Sequence, residues 1–150
     1  MKPCAVIIPC YQEARRLDIE ALVRLAEHPE IRLVCVDDGS TDGTPALLRE
    51  LDACSPGNVR IVTRHCNGGR GHAVRDGMLD AIANGATRVG FLDADLAAPV
   101  EEMIRLYTLL AASDTDMILG TRAASSAQTQ PRTLRIGVRR TLTPRRVPRI

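Results

Sequence analysis

Aromatic residues are nearly absent from this 150-residue chain, which has one Phe, two Tyr and no Trp. Binding single-stranded nucleic acid by stacking needs exposed aromatic faces, so no nucleic-acid partner is expected. The core must instead be built from Val, Ile, Leu, Ala and Met. Paired cysteines are lacking as well. The five present, Cys4, Cys10, Cys35, Cys54 and Cys66, are odd in number and show neither close pairing nor zinc-type spacing. Three lie in or beside apolar strand-like runs, where a free thiol packs as a small hydrophobe, and all are read as reduced, buried thiols of a cytoplasmic protein. Long apolar runs are missing too. The first, Cys4 to Pro9, is far shorter than a secretory core region or a membrane span, so the expectation is a soluble chain without a signal peptide. The last absence is local: from Ala123 to Ile150 there are seven arginines and no acid, which leaves 13 basic against 18 acidic residues, a net charge of −5, in residues 1–122. An acidic body and a basic tail are therefore expected, the tail (123–150) as a solvated, disordered segment rich in Arg, Thr and Pro.

What is present is ordinary for one globular domain: 45% hydrophobic and 25% charged residues over a length that suits a single core. Short apolar runs alternate with amphipathic stretches. Ala5 to Ile8, Ile31 to Val36, Val59 to Val62, Arg88 to Leu92 and Asp116 to Leu119 read as strands. Between them, Glu13 to Glu27, Thr44 to Leu51, Gly71 to Ala83 and Pro99 to Ala111 read as helices. Pro45 suits the first turn of the second helix, and Asp42 or Thr44 is placed to cap it. In the third helix Ala73, Val74, Met78, Leu79 and Ile82 form the expected buried face, and Asn84-Gly85 marks its end. Alternating strands and helices with near-continuous apolar strands predict an α/β domain on a mostly parallel, Rossmann-like sheet flanked by helices.

In such sheets ligands bind beyond the carboxyl ends of the strands, and four notable segments fall there. Two are acidic. Leu33 to Val36 leads into Asp37-Asp38, and Val89 to Leu92 leads into Asp93-Ala94-Asp95. Carboxylates at a strand end can accept hydrogen bonds from ribose hydroxyls or a base N–H. A pair such as Asp93 and Asp95 also suits Mg2+ or Mn2+, which take one or two protein carboxylates and fill their shell with water and phosphate oxygens. Turn formation explains Gly39 to Thr44 without any ligand, but not the two consecutive acids before it. The third segment, Asn67-Gly68-Gly69-Arg70-Gly71, opens a helix; its glycines let backbone N–H groups approach an anion, and Arg70 adds a cation. It matches neither the Walker loop nor G-x-G-x-x-G. The fourth is Pro9-Cys10-Tyr11-Gln12-Glu13 after the first strand. His65 and His72 have no partner at metal spacing and are read as ordinary polar residues.

Together these segments resemble the family 2 glycosyltransferases of GT-A fold. The resemblance is carried by Val6 to Glu13 (VIIPCYQE), Val36 to Thr44 (VDDGSTDGT), Asn67 to Val74 (NGGRGHAV), Phe91 to Pro99 (FLDADLAAP) and Gly120-Thr121-Arg122. Within the family the likeness is to the dolichyl- or polyprenyl-phosphate sugar synthases, with Gln12 where Asn is commoner and Arg70 where Lys is common. It implies a nucleotide-diphosphate sugar as donor, a lipid phosphate as acceptor, peripheral association with the inner face of the membrane, and an inverting displacement assisted by Mg2+ or Mn2+. It further implies that Pro9, Tyr11 and Glu13 line the nucleoside pocket, and that Asp38 with help from Asp37 recognises the base. By the same likeness Arg70 contacts base or diphosphate, Asp93 also takes part in nucleotide binding, and Asp93 and Asp95 form the metal site, with Asp95 the direct ligand.

The motifs stop near Arg122, whereas family members continue with further strands and acceptor-side helices. Residues 1–122 are accordingly expected to be the donor-binding half, with no catalytic residue assigned within it. The alternative is a nucleotide-sugar-binding module without turnover. A sugar-nucleotide pyrophosphorylase would place a Gly- and Arg/Lys-rich loop directly after the first strand, where this chain has Pro9-Cys10-Tyr11.

Overall fold

The computed structural model describes residues 4–120. The calls on Thr121, Arg122 and the 123–150 tail, with the boundary at 122, lie outside the described residues. The chain runs β1 (Cys4–Cys10), α1 (Ile19–Ala26), β2 (Ile31–Asp37), α2 (Thr44–Cys54), β3 (Val59–Thr63), α3 (Arg70–Ala83), β4 (Arg88–Phe91) and α4 (Val100–Ala112). All four strands are parallel, in the order β3-β2-β1-β4. The register aligns Cys10 with Asp37 and Asp37 with Thr63, and sets Ile7 beside Phe91.

The two central strands, β1 and β2, are near-continuous apolar runs because both faces of the sheet are covered there. Val6, Ile8 and Cys10 of β1 with Leu33 and Cys35 of β2 face a core closed by Leu22 and Leu25 of α1, Leu48 and Leu51 of α2, and Val100 and Tyr107 of α4. The opposite residues, Ala5, Ile7, Val34 and Val36, meet Ala73 and Ala81 of α3. The sheet is thus a middle layer with three helices on one side and one on the other.

Four local readings are corrected. The first helix does not begin at Glu13: residues 13–17 form a turn, with Arg16 and Leu17 N–H both donating to the Glu13 carbonyl. Asp18 then starts the helix by accepting the Ala21 N–H at 2.9 Å. The expected face of α3 is also revised. Its buried stripe is Ala73, Gly77 and Ala81, while Leu79 and Ile82 are 51% and 55% exposed. The helix lies so close to the sheet that a Cβ on Gly77 would sit 2.7 Å from Ile7 Cγ2 and 2.8 Å from Val36 Cγ2, so only small residues fit beneath it. The end of α3 is as expected, with Asn84 at the cap, Gly85 at φ 84°, and Ala86 and Gly85 N–H groups donating to Ala81 and Ile82 carbonyls. Third, α2 is capped by Gly43 rather than by Asp42 or Thr44. Asp42 accepts the Thr44 N–H at the helix edge and the Ala14 N–H from the loop after β1, and Thr44 Oγ1 is turned to the Glu13 N–H. Finally, Asp116 to Leu119 is not a strand; Met117 and Leu119 are 61% and 63% exposed, and no described strand pairs with them. An apolar run becomes a strand only with a ladder partner.

Candidate functional site

The strand order places a topological switch point between β1 and β4. From β1 the chain steps outward through β2 and β3 on one side, then returns by α3 to β4 on the other. Ligand crevices form outside the carboxyl ends at such reversals. A cavity of about 410 Å³ opens there, lined among others by Pro9, Tyr11 and Glu13 after β1, Asp38 after β2, Arg70 at the start of α3, and Asp93 and Asp95 after β4. That volume lies within the range typical of small-molecule sites.

Seven of the eight expected residues therefore meet at one cavity; Asp37 does not line it. Asp37 ends β2, is buried, and accepts the Ser40 N–H at 3.0 Å, so it shapes the turn after the strand. Asp38 is equally buried. Its Oδ1 receives Arg64 NH1 at 2.7 Å and Gly68 N–H at 3.0 Å, and its Oδ2 receives Gly69 N–H at 2.8 Å. A carboxylate has about four acceptor positions, so these three donors leave room for a further one.

The Pro9 to Glu13 loop is pinned to the loop after β2. Gln12, at φ 55°, donates its backbone N–H to Ser40 Oγ at 3.1 Å, and its Oε1 accepts the N–H groups of Thr41 and Asp42. Glu13 N–H donates to Thr44 Oγ1 at 2.8 Å, and Ala14 N–H to Asp42 at 3.1 Å. These bonds hold Tyr11, which is 43% exposed, and Glu13 against the cavity. Glu13 is held by Arg16 at both oxygens, with Nη2 donating to Oε1 at 2.9 Å and Nε lying 2.9 Å from Oε2. Cys10 also lines the cavity. Burial, then the neighbouring Cys35 thiol and the Glu13 and Asp37 carboxylates, push its thiol far above the ordinary range, so it stays protonated at neutral pH.

At the opposite wall Arg70 bonds Asp93 Oδ1 at 2.8 Å and lies over the Phe91 ring, 5.4 Å from its centroid. Asp95 is exposed and accepts the Ala97 N–H at 3.1 Å, in a turn where Leu96 takes φ 49°. Asp95 does not cap α4, whose N-cap is Pro99. Two carboxylates with free oxygens match the oxygen-donor preference of Mg2+ or Mn2+, whose remaining positions go to water and phosphate. Among the described residues no group of three or more His, Cys, Asp or Glu is gathered for a metal, so any ion here would depend on ligand oxygens.

Sequence reasoning missed Arg64. Its signal was available, since Arg64 directly follows β3 as the other site segments follow their strands.

Comparison with known proteins agrees with the fold. The family model "Glycosyl transferase family 2" matches residues 5–149. A polyprenol monophosphomannose synthase of Mycolicibacterium smegmatis is 34% identical over 119 residues, 78% of this chain and 44% of its own length. An undecaprenyl-phosphate 4-deoxy-4-formamido-L-arabinose transferase of Pectobacterium carotovorum is 32% identical over 127 residues, 82% of this chain and 38% of its own. Among solved structures, the mannosyltransferase PcManGT from Pyrobaculum calidifontis in complex with GDP-Man and Mn2+ aligns with a TM-score of 0.57 at 27% identity. It covers 73% of this chain and 32% of that one. S. aureus TarS 1–349 in complex with UDP-GlcNAc aligns at 0.59 and 26% identity, over 75% and 32%. The chain thus spans less than half the length of these relatives.

Proposed function

The chain belongs to glycosyl transferase family 2, and on that premise we propose that it binds a nucleotide-diphosphate sugar in the switch-point cavity and transfers the sugar to a polyprenyl phosphate. The observation that carries the reading is the convergence of Tyr11, Glu13, Asp38, Arg70, Asp93 and Asp95, from four separate loops, on one cavity. The relatives' names supply the acceptor class, since two of them act on polyprenol or undecaprenyl phosphate.

Each residue has a task its chemistry suits. Pro9 and Tyr11 offer apolar surface to a base or ribose. Glu13, a carboxylate at the cavity wall, accepts from a ribose hydroxyl, and Asp38 uses its remaining acceptor position for a base N–H. Asp37 assists by holding the turn beside Asp38. Arg70 turns from Asp93 to the diphosphate, where a guanidinium forks well onto phosphate oxygens. Asp93 and Asp95 would hold a divalent ion. The need for one follows from charge: four carboxylates and one arginine line the cavity, so an anionic diphosphate would meet net repulsion without added positive charge. Bound there, Mg2+ or Mn2+ supplies Lewis-acid stabilisation of the leaving diphosphate.

In the proposed reaction a phosphate oxygen of the acceptor forms a bond to the anomeric carbon as the bond to the diphosphate breaks, with inversion. A phosphate monoester has a second pKa of about 6 and is already anionic at neutral pH, so it needs little help from a general base. No helix among the described residues is long and apolar enough to cross a membrane; we propose that the protein meets its lipid acceptor peripherally, at the cytoplasmic face. A second reading is donor binding without turnover, because the residues that line the cavity are those given a donor-side task. Transfer of labelled sugar to polyprenyl phosphate by the purified chain separates the two.

The first test is calorimetric titration with UDP and GDP, and with UDP-GlcNAc and GDP-mannose, in Mn2+ or in chelator. Binding is expected in Mn2+ and to weaken at least about tenfold in chelator, a loss of 1.4 kcal/mol or more. Asp95→Asn should abolish that difference with an unchanged thermal midpoint. Equal affinity with and without the ion would remove the metal site from the reading, and no binding of any of the four would remove the donor site.

A further inference from the structure

Arg64 belongs to no motif that carried the functional reading, and it does not line the cavity. It stands one residue past β3, its backbone N–H donating to the Asp37 carbonyl at 2.9 Å, and its side chain is 21% exposed. The guanidinium reaches two carboxylates on different elements: NH1 lies 2.7 Å from Asp38 Oδ1, and Nε 3.2 Å from Asp76 Oδ2 on α3. It also packs directly beneath the glycine loop, since a Cβ on Gly68 would come within 2.6 Å of both terminal guanidinium nitrogens. The same Asp38 carboxylate accepts the N–H groups of Gly68 and Gly69, and Gly69 caps α3 with φ 90°.

We infer that Arg64 is a positioning residue that sets the Asn67 to Arg70 segment, and with it the cation at the cavity wall, by bracing Asp38 and Asp76 at once. Asp38 is a buried carboxylate, and among the described residues the cation that pairs with it is Arg64. With the guanidinium in place, the Asp38 oxygens are aimed so that the two glycine N–H groups can close on them. Asp76 fixes the other side of the guanidinium to the first half of α3, so the strand ends and the helix start move as one body. Arginine is required by geometry. Its planar fork spans two carboxylates at fixed angles, while the lysine ammonium is a single point of charge. The arrangement also explains why position 68 is glycine: a side chain there would meet a guanidinium that two ion pairs keep from moving.

The inference rests on the nucleotide reading only for its affinity arm, and a second arm is independent of it. Three variants of the full chain, Arg64→Gln, Arg64→Lys and Asp76→Asn, are compared with wild type. Amide hydrogen exchange at Gly68 and Gly69 is measured without nucleotide, and Kd for UDP and GDP is measured in Mn2+. In Arg64→Gln, exchange at both glycines should rise about tenfold or more while the β1 and β2 amides keep their protection. Kd should rise about tenfold, as when a partner that orients a ligating group is removed. Asp76→Asn, one-third exposed and outside the cavity, should move both readouts in the same direction by less, and Arg64→Lys should fail to restore either. Unchanged glycine exchange in all three variants, or full rescue by lysine, would overturn the inference. Should wild type bind neither UDP nor GDP, the nucleotide reading fails, and the exchange arm still decides the role of Arg64.

Discussion

Gly77→Ala is the substitution whose sign depends most on the packing of α3. Taken locally it should stabilise, because alanine is favoured over glycine in a helix interior by about 1 kcal/mol. The structure argues the reverse. The new Cβ would lie 2.7 Å from Ile7 Cγ2, 2.8 Å from Val36 Cγ2 and 3.0 Å from Ile7 Cγ1. Both neighbours are fully buried and lie on β1 and β2, in the middle of the sheet. Their contacting atoms are attached directly to Cβ, and β-branched side chains are stiff at χ1, so neither can swing aside. Relief must come from lifting α3, which would open gaps under Ala73 and Ala81 on the same stripe. Overpacking of this kind costs about 1–3 kcal/mol; with the helix gain of about 1 kcal/mol set against it, a net loss of up to about 2 kcal/mol is expected, or up to roughly 10 °C in Tm for a domain of this size. The assay is thermal unfolding by circular dichroism beside Gly71→Ala, in the first turn of α3, where an added Cβ meets nothing within 4 Å. That control should match wild type or exceed it by up to about 1 kcal/mol. A Gly77→Ala midpoint at or above the control's would refute the close approach of helix and sheet.

Arg70→Gln should shift two affinities in opposite directions. It frees Asp93 Oδ1 from its ion pair, so Mn2+ alone should bind about two- to fivefold more tightly, the range for a partly exposed pair worth roughly 0.5–1 kcal/mol, while UDP or GDP should bind more weakly; calorimetry that finds both affinities unmoved would dismiss the pairing as inconsequential. The thiols give a further check. Against the expectation of buried thiols, Cys54 and Cys66 are exposed, whereas Cys4, Cys10 and Cys35 are buried, so a thiol reagent at pH 8 should label the first two rapidly and the other three only on unfolding. Burial raises the Cys4 thiol from 9.0 to about 11 and the Cys35 thiol to about 12. The folded state therefore keeps protons that the unfolded chain releases above pH 9. This contribution to stability is complete below that pH and declines as pH rises through about 11 to 12, so urea midpoints that hold steady from pH 9 to 11 would contradict it.

The strands, the acidic strand ends and the glycine loop were legible in the amino-acid sequence because each is a local property. A continuous Val-Ile-Leu run is stable only when buried on both faces, and two aspartates after such a run exceed what a turn requires. What sequence alone left open was non-local. Only the order β3-β2-β1-β4 brings Tyr11 and Glu13 across from Asp93 and Asp95, since β1 and β4 are far apart in the chain and adjacent in the sheet. The face of α3 was misread because periodicity weighs Leu79 and Ile82 by hydrophobicity, whereas the distance between helix and sheet selected Ala73, Gly77 and Ala81 by size. Asp116 to Leu119 has the composition of a strand, but strand formation depends on a neighbour that local sequence cannot supply. Asp37 and Asp38, identical and adjacent, were separated by the alternation of the backbone at the end of β2: one carboxylate turned to the following loop, and the other to Arg64 and the glycine N–H groups beside the cavity.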